Sequence, residues 1–219
     1  AQNAQWLHQN YLYNEEYGGL KPSIEYEVDF GDGKKKRRIG PDSIDLVLTN
    51  PPFGKSVKTE GILLDYQFGH EVKVFKSKGR PPEKRPKNSQ DSEVLFIEHY
   101  LRVLKPGGKL LIVLPDGVLS NATAKPVRDY MREHAIIKAV ISLPSETFAS
   151  TGTSIPTNVV YLQKKRPGDV QGDIFMARAD YVGRRANGDP LKENDLPFIL
   201  EKFCEWQAGT LELPEEDKE

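Results

Sequence analysis

Asn50, Pro51, Pro52 and Phe53 follow one another with little conformational freedom and an unusual set of chemical groups. Each proline ring fixes its own φ and disfavours helical geometry in the residue before it, so the run reads as a stiff corner. It offers a side-chain amide at Asn50, a carbonyl at Pro51 outside any ladder, and the aromatic face of Phe53. Two acceptors at fixed positions match a primary amine with two hydrogens. The aromatic face matches a planar heterocycle bearing that amine. Such an exocyclic amine is a poor nucleophile, because its lone pair is delocalised into the ring. If the Asn50 amide oxygen and the Pro51 carbonyl each accept one N–H, the nitrogen is drawn toward tetrahedral geometry. Its lone pair can then attack an electrophilic methyl group. Positive charge grows on nitrogen during attack, so the two acceptors bind the transition state better than the ground state. The product ammonium is acidic and needs no strong general base. The plain alternative is a rigid turn that closes a strand.

A corner of this kind must be carried at a strand end. In open α/β sheets, ligand sites lie beyond the carboxyl ends of the strands. Ile44–Asn50, "IDLVLTN", is a near-continuous apolar run of strand length, as expected of a strand buried on both faces. Residues 55–90 are polar and lysine-rich and read as a mobile loop. "DSEVLFIEHYLRVLK" then predicts a helix with Asp91 and Ser92 as capping residues, and Val94, Ile97, Tyr100, Leu101 and Leu104 on one face. "PGG" at 106–108 ends it, since proline cannot continue a helix and glycine accepts turn dihedrals. "KLLIVLP" predicts a second buried strand, "AKPVRDYMREHA" a helix, "IIKAVISLP" a third strand and "TNVVYLQKK" a fourth.

The alternation from Asp42 onward predicts a parallel, doubly wound α/β sheet. The last two strands lack a helix between them, which allows one antiparallel strand formed as a hairpin. Upstream, residues 1–23 carry weak helical periodicity ending at Gly18 and Gly19. Ile24–Phe30 alternates before Gly31-Asp32-Gly33, which suggests a short hairpin or an extended loop. "DIFMARADYVG" adds a further strand, and the terminal "LPEEDKE" reads as a polar tail.

Composition bounds the rest. The chain has 219 residues, a net charge of −1, 29% charged and 37% hydrophobic residues. That suits a folded globular protein of one α/β domain with extensions. A single cysteine, Cys204, allows no intrachain disulfide and points to a reducing compartment such as the cytoplasm. No apolar run approaches a membrane span, and the scattered histidines His8, His70, His99 and His134 show no metal-site spacing.

The quartet at 50–53 resembles the catalytic motif of S-adenosylmethionine-dependent amino-methyltransferases. "LKPGGKLLIVLPDGVL" (104–119), "REHAIIKAVISLP" (132–144) and "TFASTGTSIPTNVVYLQKK" (147–165) are similar to the DNA adenine-N6 methylases, above all to the modification subunit of type I restriction–modification systems. The resemblance covers residues 42–165. It implies a Rossmann-like methyltransferase sheet and methyl transfer to adenine N6 in DNA. Asn50 and Pro51 would hold the amine, Pro52 would keep the corner stiff, and Phe53 would stack on a flipped-out adenine. Asn50 and Phe53 would also line the methyl end of the cofactor site. The implied partners are DNA, a specificity subunit that chooses the sequence, and a restriction subunit, with no membrane and no metal.

The chain departs from the family upstream. No glycine-rich loop follows a strand and opens a helix. "FGDGKKKRR" (30–38) is followed by basic residues and reads as a hairpin turn, and no acidic ribose-binding residue is identifiable. The resemblance therefore implies the C-terminal part of a methylase domain, which keeps the amine site and lacks most of the cofactor site. The expected organisation is an N-terminal extension at 1–41, the catalytic part at 42–165 and a C-terminal extension at 166–219.

Within the 55–90 segment Lys55, Lys73, Lys76, Lys78, Arg80, Lys84, Arg85 and Lys87 are candidates for phosphate contact, against the alternative of a solvated loop. Asp116, past a strand end, could serve a site or simply a turn. Two other functions stay open. One is methylation of a different amine, such as a protein glutamine or a ribosomal RNA base, where related motifs often carry Tyr at the Phe53 position. The other is a non-catalytic DNA-binding or scaffolding fragment.

Overall fold

The computed structural model describes residues 24–29, 34–58, 60–73, 82–152 and 154–212. The expected hairpin is present: β1 (Ile24–Asp29) pairs antiparallel with β2 (Lys34–Ile39), from Ile24 opposite Ile39 to Asp29 opposite Lys34. The helix expected in residues 1–23, the turn at 30–33 and the tail at 213–219 lie outside the described residues.

Among the described residues, five strands form the main sheet. In spatial order they are β11 (Phe175–Arg178), β9 (Ala135–Leu143), β10 (Thr157–Lys164), β8 (Leu104–Pro115) and β3 (Ile44–Thr49). β3 and β8 are parallel, as are β9 and β11. β10 runs antiparallel to both neighbours and lies between β8 and β9. The 144–156 connection holds a 3₁₀ segment but no crossover helix, and neighbours joined without a crossover run antiparallel.

One face of the sheet is covered by α2 (Ser92–Val103) and α4 (Lys125–His134), which follow β7 (Gln90–Asp91) and α3 (Asp116–Ser120). Leu110, Ile112, Leu114, Val160 and Leu162 from the strands pack there with Leu95, Ile97, Leu101 and Met131. On the other face α5 (Leu196–Ala208) packs Ile199, Phe203 and Trp206 against Ala139, Phe175 and Tyr161 near the β9–β11 edge. β12 (Val182–Arg184) and β13 (Pro190–Asn194) form a separate ribbon.

Four expectations need correction. β3 is not buried on both faces: Leu46 is 53% and Leu48 65% exposed. Among the described residues it is an edge strand, and Ile44 and Val47 are its residues packed against the core. α2 is not one-sided; of its twelve residues all but Arg102 are buried. Its end comes at Val103, ahead of "PGG". Residues 105–108 are instead a bulge in the β3–β8 ladder, because Ile44 pairs with Leu104 and Leu46 already with Lys109.

The 55–90 segment is no plain loop. It holds β4 (Ser56–Val57), α1 (Glu60–Asp65) and a ribbon of β5 (His70–Lys73) with β6 (Glu83–Pro86). Leu63 and Tyr66 are fully buried, and Phe68 nearly so. They form the lid that buries the outer side of α2. The lid is tied down by Glu98, whose carboxylate accepts the Gln67 and Phe68 N–H groups and an Arg102 N–H. Gly69 must be glycine, since a Cβ there would strike the Leu63 backbone. The Tyr66 hydroxyl lies 2.8 Å from Nδ1 of buried His99, and burial, with the nearby Arg102 charge, pushes that imidazole down to about 3.

Candidate functional site

The corner sits at the carboxyl end of β3, where the sequence reading puts it. Thr49, the last strand residue, is 2.9 Å from the Tyr100 hydroxyl through its Oγ1. Asn50 is exposed, Pro51 is buried, and Pro52 and Phe53 are half-buried. Gly54 leaves the corner with φ +67°, in the left-handed region where a side chain would be strained.

Ser92, at the start of α2, holds this exit. The Ser92 hydroxyl donates to the Pro52 carbonyl at 3.1 Å, and the Ser92 N–H donates to the Lys55 carbonyl at 2.8 Å. The Glu93 carboxylate lies beside it, 3.5 Å from the same Ser92 hydroxyl. It is only 8% exposed, and burial pushes its pKa up. Just outside, β4 pairs with β7 through Ser56 opposite Asp91. The expected helix cap is therefore half right. Asp91 occupies the cap position without a side-chain hydrogen bond, and the Ser92 hydroxyl serves the corner instead.

Phe148 completes the aromatic side. It lies on the 3₁₀ segment Ser145–Thr151, just past the carboxyl end of β9, and meets Phe53 edge-on at 6.3 Å and 72°. The sequence reading does not single it out. The available signal is an aromatic on a polar connection next to the carboxyl end of a predicted strand. Asp116 begins α3 beyond β8 and accepts bonds from the Ser120 hydroxyl and the buried Asn158 amide. Asn158 in turn accepts the Ser142 hydroxyl at 2.7 Å. That network stitches the ends of β8, β10 and β9 together. A cleft of about 380 Å³ lies beside it, lined by Gln90, Glu93, Pro115, Gly117, Asn121 and Val127 among others.

The basic candidates separate. Lys55 is exposed immediately after the corner, and Lys73 and Lys84 are exposed on the β5–β6 ribbon. Arg85 pairs with Glu83 at 2.8 Å, and Lys87 donates to the Gln90 amide oxygen. Across the ribbon Glu71 faces Arg85 and Lys73 faces Glu83, so opposite charges alternate between its strands. Lys76, Lys78 and Arg80 lie outside the described residues.

For S-adenosylmethionine, the residues fit at one end. Asn50 and Phe53 could border its methyl group. The upstream glycines join two antiparallel strands, β1 and β2, so the described segment after them is a strand and not a helix whose N-terminus could receive the cofactor's charged end. Among the described residues no helix is long and apolar enough to cross a membrane, and no acidic, histidine or cysteine cluster could hold a metal ion.

Comparison with known proteins agrees with this geometry. A type I restriction enzyme methylase subunit from Escherichia coli, EcoEI, is 28% identical over 127 residues, which is 58% of this chain and 22% of that subunit. A solved chain of a type I restriction–modification system superposes with a TM-score of 0.57 at 20% identity, over 77% of this chain and 32% of its own length. A Listeria monocytogenes protein assigned to the class I S-adenosylmethionine-dependent methyltransferases superposes at 0.52 and 18% identity, over 75% and 43% of the two chains. The fold is thus the Rossmann-like sheet of these methyltransferases. The chain spans well under half the length of the relatives it matches. The model of one family, N-6 DNA methylase, matches residues 22–218, and the chain belongs to that family.

Proposed function

We propose that this chain is the substrate-amine half of an enzyme that methylates the N6 amine of adenine in DNA, within the methylase subunit of a type I restriction–modification system. The observation that carries the proposal is the Asn50–Phe53 corner, held at a strand's carboxyl end in a chain of the N-6 DNA methylase family. The Asn50 Oδ1 and the Pro51 carbonyl accept the two amine hydrogens and draw the nitrogen's lone pair out of the ring. Both acceptors gain strength as the nitrogen turns positive, so their effect falls on turnover more than on binding. Phe53 stacks on the extruded base, and Phe148 forms an edge-on wall beside it. S-adenosylmethionine, when bound, supplies the electrophilic methyl group.

The cofactor's amino-acid and ribose ends are held by polypeptide other than residues 24–212. Two features support this. The β3 face that leads to Asn50 is open at Leu46 and Leu48, and the segments before and after the upstream glycines pair as antiparallel strands. Target choice comes from a specificity subunit, and a restriction subunit completes the assembly. Lys55, Lys73, Lys84, Arg85 and Lys87, with Lys76, Lys78 and Arg80, contact the DNA backbone.

The test is radiolabelled methyl transfer to DNA, RNA and protein substrates by the full methylase carrying this chain, together with its specificity subunit. Label confined to adenine in DNA is the expected result. Label on RNA or protein would replace the substrate, and no transfer to any of them would leave a DNA-binding or scaffold role. Calorimetric titration of the 219-residue chain with S-adenosylmethionine should show weak binding or none; micromolar affinity would overturn the division of the cofactor site.

A further inference from the structure

The two prolines do not immobilise the residue that matters most for the base. Their rings fix φ at positions 51 and 52, but Phe53 has no ring closure of its own. Its placement depends on the peptide planes on either side. The plane between Pro52 and Phe53 carries the Pro52 carbonyl, which the Ser92 hydroxyl binds at 3.1 Å. Two residues past Phe53, the Lys55 carbonyl takes the Ser92 N–H at 2.8 Å. That N–H belongs to the first turn of α2, where the helix ladder has no partner for it.

Phe53 therefore hangs between two pinned carbonyls, and both pins come from Ser92. Its helix is a good anchor, being buried almost throughout and held under the Leu63–Phe68 lid.

Resting on the function proposed above, we infer that Ser92 is a positioning residue that sets the Phe53 ring for stacking on the extruded base. It touches neither base nor cofactor and acts through the backbone of residues 52–55. Its loss should consequently copy the signature of a displaced Phe53. Extruding a paired adenine costs free energy that stacking offsets, and less is needed when the adenine faces a mismatch or a gap.

The experiment uses the full methylase with its specificity subunit. kcat/KM is measured on a normally paired duplex and on one with the target adenine mismatched, for Ser92→Ala, Ser92→Thr and Asn50→Ala. Ser92→Ala should lose about tenfold on the paired duplex, as loss of one orienting hydrogen bond allows. On the mismatched duplex it should lose clearly less, with the loss in kcat and little change in DNA KM. Ser92→Thr keeps the hydroxyl donor and should restore most activity. The paired-to-mismatched ratio is internal to each variant, so a lower folded fraction does not change it. Equal losses on the two duplexes, or wild-type turnover in Ser92→Ala beside a dead Asn50→Ala, would overturn this inference and leave the catalytic reading standing. An active Asn50→Ala would remove the reading and the inference with it.

Discussion

The two faces of β3 differ sharply. Toward α2, Val47 packs on the core and Thr49 reaches the Tyr100 hydroxyl. Toward the other side, Leu46 and Leu48 are more than half exposed, and Leu111 on the neighbouring strand is 37% exposed. At the far edge of the sheet that same side is covered, because α5 lays Phe203 and Trp206 over Tyr161 and Phe175. Among the described residues this face of the sheet is thus covered near β11 and open at β3. Leu46, Leu48 and Asn50 follow one another on alternate positions, so the open face leads straight to the Asn50 amide. Stability comes from the covered face, and the proposed chemistry belongs to the open one.

Substitutions on the two faces should separate by several-fold in energy. Ile112→Ala, at a fully buried strand position, should cost about 2–5 kcal/mol. Leu48→Ala should cost no more than about 0.5 kcal/mol in the 219-residue chain, as surface changes do. Urea denaturation of both variants measures the contrast. A large cost for Leu48→Ala would mean that its face is packed after all.

Asn50→Ala tests where the chemistry lies. In the full methylase it should lower kcat roughly a hundredfold or more, by analogy with loss of one oxyanion-type partner, with DNA affinity little changed. Steady-state methylation beside DNA-binding titration would show it, and near-normal turnover would take the open face out of the mechanism.

The covered side carries a pH dependence of its own. His99 is neutral in the fold, with its pKa pushed down to about 3, while the unfolded chain protonates near 6.5. The unfolded state therefore binds the extra proton as pH falls, and stability is lost between about 6.5 and 3. One unit below the unfolded value the deficit is about 1.4 kcal/mol. Melting curves of wild type and His99→Gln across that window should differ in slope, with the variant flatter. Glu93 is shifted upward and contributes with the opposite sign, so only the difference between the two proteins isolates His99.

The smallest effect belongs to the β5–β6 ribbon, which joins neither face. Neutralising Lys73, Lys84 and Arg85 together should weaken DNA binding about equally across sequences. It should also flatten the log-affinity against log-salt slope by roughly one unit for each phosphate left without its cation. An unchanged slope would assign these residues to solvent and to their pairing with Glu83 and Leu64.

Much of the path to the corner is legible in the sequence because it is local. Apolar runs of strand length, the helix between 92 and 103, and the missing helix before 157 are all patterns within a few residues. The corner itself declares its stiffness through two adjacent prolines. The 55–90 segment reads falsely as a loop because its buried apolar residues, Ile62, Leu63, Tyr66 and Phe68, are confined to one short stretch of a segment that is lysine-rich and polar on either side. They fold only because α2 offers a buried partner, and no pattern within the segment says so. α2 looks one-sided for the same reason, since its second covering arrives from that segment.

By itself, then, the sequence determined the chemical identity of the corner, the order of strands and helices over 44–49 and 92–164, and the absence of a glycine-rich loop, all properties of residue type and short spacing. Only the tertiary structure decided which face of β3 stays open. It alone brought Phe148 from 95 residues away to the edge of Phe53, and tied Pro52 and Lys55 to Ser92. Hydrogen bonds and ring contacts across such separations are set by how the layers pack, and packing depends on the whole chain at once.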